Sequence, residues 1–519
     1  MAPEFNLLDE PWIRVLKKDC SEQEVSITEV LIHAHEYLDL SGDMPEQDMA
    51  VLRLLLAVLH TVFSRVDENG QAGKMDTKPQ ARKRWKNLWM KGQFSTQAIS
   101  EYLEQVHERF WLFHEKYPFY QIPEAVVGTE YTAAKLNGEL SESGNKVRLF
   151  SQCSGLKKQE MTYAEAARWL LYVNAYDDTS AKPKGKGLPS PGVGWPGKLG
   201  LIAAVGDNLF ETLMLNLTLL KDGQELWEGE NRPIWEVEPS KAERREIAVP
   251  DNPAELLTIQ SRRLLLKRDR GMVVGYYLLG GDFFEKEMAY AEQMTVWRKA
   301  AGKDSLEYSP RRHDPSRQMW RDFGTIFAKN GGNVHNPGIV MWYHAIAKQM
   351  GWKPNTVRKF RIVSVQYGDK DFFVNDTFSD SLTFHAEILL ELNLKWQDHI
   401  LAEIDKCEAV AQNIGLLSSN LAKAKGTTPN PGKAKDQFYS RVDQTFREWL
   451  RDILPEDGNE EETCKILEKE IQKIARKLAD ELVSEAGEAA FAGRMVDNQY
   501  YAAPEAYNWF LGKMYKIFR

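Results

Sequence analysis

The chain has few cysteines and no long apolar run, and each absence excludes a class of protein. Its four cysteines, Cys20, Cys153, Cys407 and Cys464, are scattered through 519 residues without a CxxC pair. This pattern argues against a disulfide framework and against a thiolate zinc site. The sequence has no run of about 18 apolar residues to span a membrane and no secretory signal at its N-terminus. We therefore expect a soluble cytoplasmic protein without membrane contact, metal or cofactor.

Familiar catalytic signatures are missing as well. The sequence contains no HExxH, GxSxG or paired Cys/His motif. Gly192–Leu199 resembles nucleotide-binding loops, but no hydrophobic strand precedes it, and Leu199 stands where a P-loop needs Ser or Thr. Because acid pairs such as Asp177 and Asp178 can act in catalysis, a hydrolase or carbohydrate-active enzyme remains an alternative. The 15 tryptophans would then be sugar-stacking platforms, although we favour core packing as their explanation.

The charge of the chain is unevenly distributed. The net charge of −8 gives by itself no sign of a nucleic-acid partner. Residues 145–200, however, hold nine bases against four acids, and residues 262–321 hold thirteen against eight, whereas residues 456–488 hold eleven acids against five bases. Phosphate binding responds to the local field within about 8 Å. We therefore expect a basic patch formed by Lys182, Lys184, Lys186, Lys198, Arg311 and Arg312. The alternative for Arg311 and Arg312 is that they pair with acidic residues. In that interpretation the neighbouring Trp320 enters the core.

Periodicity predicts an α+β fold: a large mixed domain over residues 1–377 and a four-helix bundle over residues 378–519. In the first part, Ser26–Ile32 and Ile362–Tyr367 have the β-branched content of strands, and Gln47–Val66 has helical spacing. Asp177–Gly200 holds six glycines and four prolines, which predicts a long functional loop.

Four helical patterns follow the predicted boundary at residue 378. They cover Leu382 to about Lys425, Asp436–Leu454, Glu461–Glu485 and Pro504–Phe518. In the third pattern, apolar residues recur at steps of three to five and predict the buried face: Ile466, Ile471, Ile474, Leu478 and Leu482. Short connections between four such helices are typical of a bundle.

Five separated segments together resemble the CasA family, the large subunits of type I-E CRISPR surveillance complexes (Cascade). They are Phe5–Val15 (FNLLDEPWIRV), Phe110–Gln121 (FWLFHEKYPFYQ), Arg148–Gln152 (RLFSQ), Asn208–Leu217 (NLFETLMLNL) and Pro310–Arg317 (PRRHDPSR). The segments occur in the family's order, and the resemblance extends over nearly the whole chain. It implies a non-enzymatic protein that recognises a short motif beside the target in double-stranded DNA. Helping to open the duplex and recruiting a helicase-nuclease are implied too, while the guide RNA reads the sequence.

The same resemblance implies where the contacts lie. In the family, one loop docks against the guide-RNA end and the motif. The residues of this chain that correspond to it are Leu149, Phe150, Ser151 and Gln152. A glycine loop that enters the minor groove corresponds to Gly185 and Gly187, and a lysine finger to Lys286. In a hairpin that bears a glutamine wedge in the family, Asp371 takes the glutamine's place. The implied partners are double-stranded DNA, the guide-RNA end, other Cascade subunits and a helicase-nuclease. A purely structural scaffold is the remaining alternative.

Overall fold

The structure is a computed structural model of the full chain. It describes residues 3–144, 146–148, 151, 153–180, 182–183, 186–285, 289–299, 308–327, 335–350, 356–390 and 393–519. The chain divides into two compact units. The mixed unit comprises Met1–Pro315, Gly331–Gly351 and Phe360–Ser381, and the helical unit comprises Ser316–Asn330, Trp352–Lys359 and Leu382–Arg519.

Helices and strands alternate through the mixed unit, and long helices dominate the helical unit. The helices are α1 (Ile27–Ile32), α2 (Pro45–Arg65), α3 (Lys78–Lys91), α4 (Thr96–Val106), α5 (Ala133–Leu136), α6 (Tyr163–Tyr176), α7 (Leu209–Asn216), α8 (Pro253–Leu257), α9 (Phe323–Ile326), α10 (Gly338–Met350), α11 (Leu394–Lys425), α12 (Pro431–Asp452), α13 (Glu460–Ala486), α14 (Glu488–Ala492) and α15 (Ala503–Ile517). The strands are β1 (Glu4–Asn6), β2 (Ile13–Lys17), β3 (Glu22–Val25), β4 (Tyr37–Leu40), β5 (Trp111–Phe113), β6 (Thr129–Thr132), β7 (Leu201–Val205), β8 (Arg245–Glu246), β9 (Arg262–Asp269), β10 (Met272–Gly280), β11 (Asp282–Phe283), β12 (Trp297–Lys299), β13 (Tyr308–Pro310), β14 (Val357–Tyr367), β15 (Val374–His385), β16 (Arg494–Val496) and β17 (Gln499–Tyr501). The predicted α+β class with a helical C-terminal region is confirmed.

Small sheets, rather than one large sheet, organise the mixed unit. Three of them have three strands, in the orders β3-β2-β4, β6-β10-β9 and β15-β14-β7. Helix α2 forms a core element, because 17 of its 21 residues are buried. Among the described residues it alone is long and apolar enough to cross a membrane, but 89% of that apolar window lies inside the protein. Its burial is that of a core helix.

Two of the strand and helix predictions for the mixed unit are confirmed and one is wrong. The helix over Gln47–Val66 and the strand over Ile362–Tyr367 correspond to α2 and β14. Ser26–Ile32, predicted as a strand, forms α1 instead. The Ser26 hydroxyl accepts a hydrogen bond from the Glu29 backbone N–H at 3.1 Å and caps this helix. The N-terminal cap therefore outweighs the β-branched content of the segment.

The helical unit packs α11, α12, α13 and α15 around a shared core. Its first long helix begins at Leu394 and not at Leu382, because residues up to His385 belong to β15, where Leu382 and Phe384 alternate with more exposed neighbours. The buried face of α13 contains Leu467, Ile471 and Leu478, whereas Ile466 is 59% exposed. The predicted apolar face is therefore rotated by one position at its start.

The helical unit also takes in a segment from before the predicted boundary at residue 378. Trp320 lies in this segment, is fully buried, and stacks on Phe446 of α12 with ring centroids 4.1 Å apart. Its indole N–H donates to the Asp443 carboxylate at 2.8 Å. Arg321 donates to the Glu408 carboxylate of α11, also at 2.8 Å. These contacts explain why Ser316–Asn330 groups with the bundle.

Candidate nucleic-acid interface

The structure describes eight of the fourteen predicted site residues. The six that lie outside the described residues are Leu149, Phe150, Gln152, Lys184, Gly185 and Lys286. Those that it places are Ser151, Lys182, Lys186, Gly187, Lys198, Arg311, Arg312 and Asp371. The assignments outside the described residues stay predictions, while the placed residues show how the surrounding loops are built.

Strands β14 and β15 form a hairpin whose tip, residues 368–373, carries the candidate wedge position. Lys370 and Asp371 both have left-handed backbone, with φ of +53° and +58°. Gly368 N–H donates to the Phe373 carbonyl at 2.9 Å and closes the tip. The Phe373 ring lies directly over Gly368, where a Cβ would collide with it. A side chain at position 368 would therefore require the Phe373 ring to move.

Asp371 is tied into the protein and does not project from the tip. Its carboxylate accepts two hydrogen bonds from the Arg312 guanidinium, at 2.8 and 3.1 Å. Its backbone carbonyl accepts a hydrogen bond from Thr179 N–H at 2.9 Å, and the Thr179 hydroxyl donates to the Lys370 carbonyl at the same distance. These contacts give Asp371 a positioning role, and its place at the wedge position stays a prediction.

The tip exposes two aromatic residues, Phe372 and Phe373, at 47% and 39%. Sequence reasoning missed both, although their position directly after Asp371 was a usable signal. The ammonium group of Lys146 lies 3.7 Å from the centroid of the Phe372 ring and donates to the Phe372 carbonyl at 2.6 Å. Lys146 precedes the Leu149–Gln152 loop, so it links that loop to the hairpin tip.

The glycine loop, residues 183–191, begins at a buried cluster of charges. Lys182 donates to the Asp177 carboxylate at 2.8 Å and to the carbonyls of Asp178 and Ser180 at 2.7 and 2.8 Å. Arg262 donates to the same Asp177 carboxylate at 2.5 Å. The Lys182 side chain is fully buried. Lys182 therefore anchors the loop, and its assignment to an exposed basic patch is wrong.

Burial and charge act together on the pKa values of this cluster. Burial lowers the pKa of Lys182 to about 8, although the Asp177 carboxylate opposes that shift. For Asp177, burial alone would raise the pKa, but the charges of Lys182, Arg262 and Lys135 outweigh it and hold the pKa below its usual range. Asp177 is therefore an ionised structural partner at neutral pH.

The far end of the glycine loop returns to the same cluster. Arg262 donates to the Gly192 carbonyl at 2.7 Å, and Gly194 N–H donates to the Asp177 carbonyl at 3.1 Å. Between these anchors, Lys186 and Gly187 are exposed. Gly187 has φ of +78°, and a Cβ there would meet nothing within 4 Å. Glycine is favoured at this position by its left-handed backbone, while the open space leaves room for a ligand.

Arg312 joins the segment that follows the glycine loop to the hairpin. Besides binding Asp371, its Nε–H donates to the Gly197 carbonyl at 2.7 Å, and its guanidinium lies 4.6 Å from the centroid of the Tyr367 ring. Acid pairing, the alternative weighed for this arginine, is therefore observed. Arg311 is half-buried, with its backbone N–H bonded to the Val296 carbonyl at 2.8 Å. Lys198 is also half-buried and lies 5.9 Å from the Trp195 ring.

An open cleft continues the interface beside the hairpin. It is lined by Arg148 and Ser151 on one side and by β15 residues Val374 to Thr377 on the other, with a volume of about 530 Å³. The Ser151 hydroxyl donates to the Cys153 carbonyl at 2.7 Å in an exposed turn. Three segments that are distant in sequence thus meet at the hairpin tip: the 146–151 segment, the root of the glycine loop, and Arg312.

The family model of CRISPR-associated protein Cse1 matches residues 6–479 of this chain. The chain belongs to the Cse1 family. The resemblance to CasA found in the sequence is confirmed, since one curated relative is the CRISPR-associated protein CasA/Cse1 of Thermus thermophilus. It is 32% identical over 336 residues, which are 64% of this chain and 61% of the relative. The alignment therefore spans less than two thirds of that relative.

Solved structures share the fold over the full length of this Cse1-family chain. Thermobifida fusca Cse1 is 28% identical with a TM-score of 0.86, and the match covers 99% of this chain and 98% of that one. A chain of a CRISPR RNA-guided surveillance complex is 17% identical with a TM-score of 0.74, and covers 100% of both chains. At that identity the second match shows the fold alone.

The contacts in this Cse1-family chain disfavour Asp177 and Asp178 as the acid pair of an enzyme. Asp177 and Asp178, the acid pair on which it rested, are both buried, and Asp178 accepts a hydrogen bond from Lys135 at 2.7 Å. With Lys182 and Arg262 on Asp177, neither carboxylate faces a substrate. Among the described residues, no group of three or more His, Cys, Asp and Glu is placed to hold a metal ion. Seven tryptophans are fully buried, as the core interpretation expects: Trp12, Trp85, Trp169, Trp297, Trp320, Trp342 and Trp396.

Proposed function

We propose that this chain is the non-catalytic large subunit of a type I-E RNA-guided CRISPR surveillance complex. In that complex it recognises a short motif in double-stranded DNA beside the target, aids opening of the duplex and recruits a helicase-nuclease. Family membership supports the proposal, as does the fold shared with a chain of a surveillance complex. The observation that carries it is the meeting of three loop segments at one hairpin tip.

The proposed contacts divide into residues that touch nucleic acid and residues that position them. Leu149, Phe150, Ser151 and Gln152 face the guide-RNA end and the motif. The exposed middle of the glycine loop enters the minor groove with Gly185 and Gly187, flanked by Lys184 and Lys186, and Lys286 is the lysine finger. Lys198 and Arg311 add positive charge nearby. Lys182, Arg312 and Asp371 hold the loops in place.

The charge distribution supports contacts with phosphate despite the acidic whole chain. Lys186 and Lys370 are both exposed on segments tied to the same anchors. A lysine that neutralises a phosphate releases counterions, so binding weakens as salt rises. The other proposed partners are the guide-RNA end, the remaining subunits of the complex and a helicase-nuclease.

The test is motif-dependent binding by the complex assembled with guide RNA. Duplexes that differ only in the motif beside the target are titrated at several salt concentrations by fluorescence anisotropy. We expect Lys186→Ala to lower the affinity for every duplex and to reduce the slope of log affinity against log salt by about 0.9. We expect Lys286→Ala to reduce the difference between correct and incorrect motifs.

Lys83→Ala is the matched control, since Lys83 is an exposed lysine on α3. This variant should bind like the unmodified protein. The proposal fails if the assembled complex binds all motifs equally. Assembly without salt-dependent DNA binding would instead favour the scaffold alternative.

A further inference from the structure

Exposed phenylalanine is rare among the described residues, and two exposed phenylalanines are adjacent at the hairpin tip. The sequence has 22 phenylalanines. Among the described ones, only Phe372, Phe373 and Phe491 are largely exposed. An aromatic ring in water costs free energy in proportion to its apolar area. Two such rings at one tip therefore call for an explanation beyond chance exposure.

The two rings at the tip differ in what they touch. Phe373 folds back over Gly368 and helps to close the tip, so it has a structural role. The ring of Phe372 is the more exposed of the two, at 47% against 39%, and the Lys146 ammonium lies 3.7 Å from its centroid. A cation at this distance is attracted by the negative face of the ring. Phe372 is thus the ring that is available to a ligand.

The surroundings of Phe372 combine an aromatic face with positive charge. Lys146 lies over the ring, and Lys370 is exposed two residues away. Burial lowers the pKa of Lys146, and Asp178 and Asp177 oppose that shift. Single-stranded nucleic acid is bound by this combination, in which a base stacks on the aromatic ring and lysines meet the adjacent phosphate. If the ligand of Phe372 were instead an apolar protein surface, the two lysines beside the ring would not be required.

The tip is also rigidly placed, as a stacking platform requires. Thr179 and Arg312 hold the backbone and carboxylate of Asp371, and Lys146 holds the Phe372 carbonyl. Ordering therefore precedes binding and costs little when a base arrives. The same anchors hold the root of the glycine loop, so a nucleic-acid strand bound at that loop would pass close to the hairpin tip.

We propose that Phe372 is a stacking platform for one unpaired nucleobase, with Lys146 and Lys370 meeting the phosphate beside it. This inference rests on the proposed function, because it assigns an unpaired base to a site offered there for duplex DNA. The base belongs to single-stranded DNA or to the guide RNA. Both present the same chemistry, and the experiment separates them.

The experiment uses the full chain and an oligonucleotide of about 12 nucleotides that carries one 2-aminopurine, prepared as DNA and as RNA. Stacking on an aromatic ring quenches 2-aminopurine, so binding and stacking are read together. We expect Phe372→Ala to weaken binding about tenfold and to abolish the protein-dependent quenching. Phe372→Leu keeps an apolar side chain without a ring and should weaken binding similarly, whereas Phe372→Trp should restore both signals.

Phe491→Ala is the control, because Phe491 is an exposed phenylalanine of the helical unit. It should leave affinity and quenching unchanged. Stronger quenching with DNA than with RNA assigns the platform to a displaced DNA strand, and the reverse assigns it to the guide. The inference is overturned if Phe372→Leu has the affinity and quenching of the unmodified protein, or if all variants bind with unchanged affinity.

The inference and the proposed function fail in distinguishable ways. If the complex binds duplexes in a motif-dependent way but Phe372→Ala leaves the quenching intact, only the stacking platform is ruled out. Phe372-dependent quenching in a complex that ignores the motif supports the platform and removes the proposed motif recognition.

Discussion

The two units of this protein use charge differently. In the mixed unit, several ion pairs have both partners buried, including Asp177–Lys182, Asp178–Lys135 and Arg53–Glu292. In the helical unit, each described ion pair has at least one partly exposed partner, as in Arg441–Glu481 at 2.5 Å. Exposed pairs contribute little to stability, whereas a buried charge that loses its partner is costly. The mixed unit therefore uses charge to shape loops, and the helical unit relies on apolar faces.

The largest expected effect comes from breaking the buried cluster. Asp177→Ala leaves Lys182 and Arg262 buried without their shared carboxylate, and we expect it to lower the free energy of unfolding by about 3–5 kcal/mol. Urea unfolding measures this loss, and hydrogen exchange over residues 177–195 should rise with it. Asp452→Ala, which removes an exposed carboxylate paired with Arg451 at 2.9 Å, is the matched change in the helical unit. Equal destabilisation by both variants would contradict the comparison.

The buried cluster also shows what sequence reasoning could not reach. A basic run around Lys182 predicts a nucleic-acid contact, since local charge is all that the sequence displays. Arg262, which shares the Asp177 carboxylate with Lys182, lies 85 residues beyond Asp177 in the sequence, and only folding brings the two together. The same holds for Arg312, whose partner Asp371 is 59 residues away. Family resemblance predicts which loops bind nucleic acid, but which of their charged side chains are buried depends on distant contacts of this kind.

Local patterns succeeded where packing agreed with them. The strongly periodic helix at residues 47–66 and the strand at residues 362–367 were predictable because periodicity and burial point the same way. For α13, the spacing of isoleucines and leucines suggested one face, but Cys464, Ala475 and Ala479 help to form the actual one. Small residues carry a weak hydrophobic signal, so the helix rotation was not predictable from the larger ones alone.

The second largest expected effect tests how much the apolar helix faces stabilise the helical unit. Ile471 is fully buried and Ile466 is 59% exposed on the same helix. We expect Ile471→Ala to lower the free energy of unfolding by about 3 kcal/mol, because it removes buried methyl groups and leaves a cavity. Ile466→Ala is the matched control and should change it by less than about 0.5 kcal/mol. Urea unfolding of both variants measures the difference, and reversed values would mean that α13 has the face expected from its isoleucines.

The smallest expected effect concerns a buried acid without a cationic partner in the mixed unit. Burial raises the pKa of Glu46 to about 8, and the nearby Asp48 and Asp376 carboxylates add to the rise. The folded protein therefore holds a proton that the unfolded chain releases near pH 4.5, so stability is present below that pH and is lost as pH rises to about 8. We expect Glu46→Gln to remove this loss of stability between pH 5 and pH 8. Urea unfolding across this range tests it, with the exposed Glu461→Gln of the helical unit as control; an unchanged pH slope in Glu46→Gln would show that the carboxyl is ionised in the folded protein.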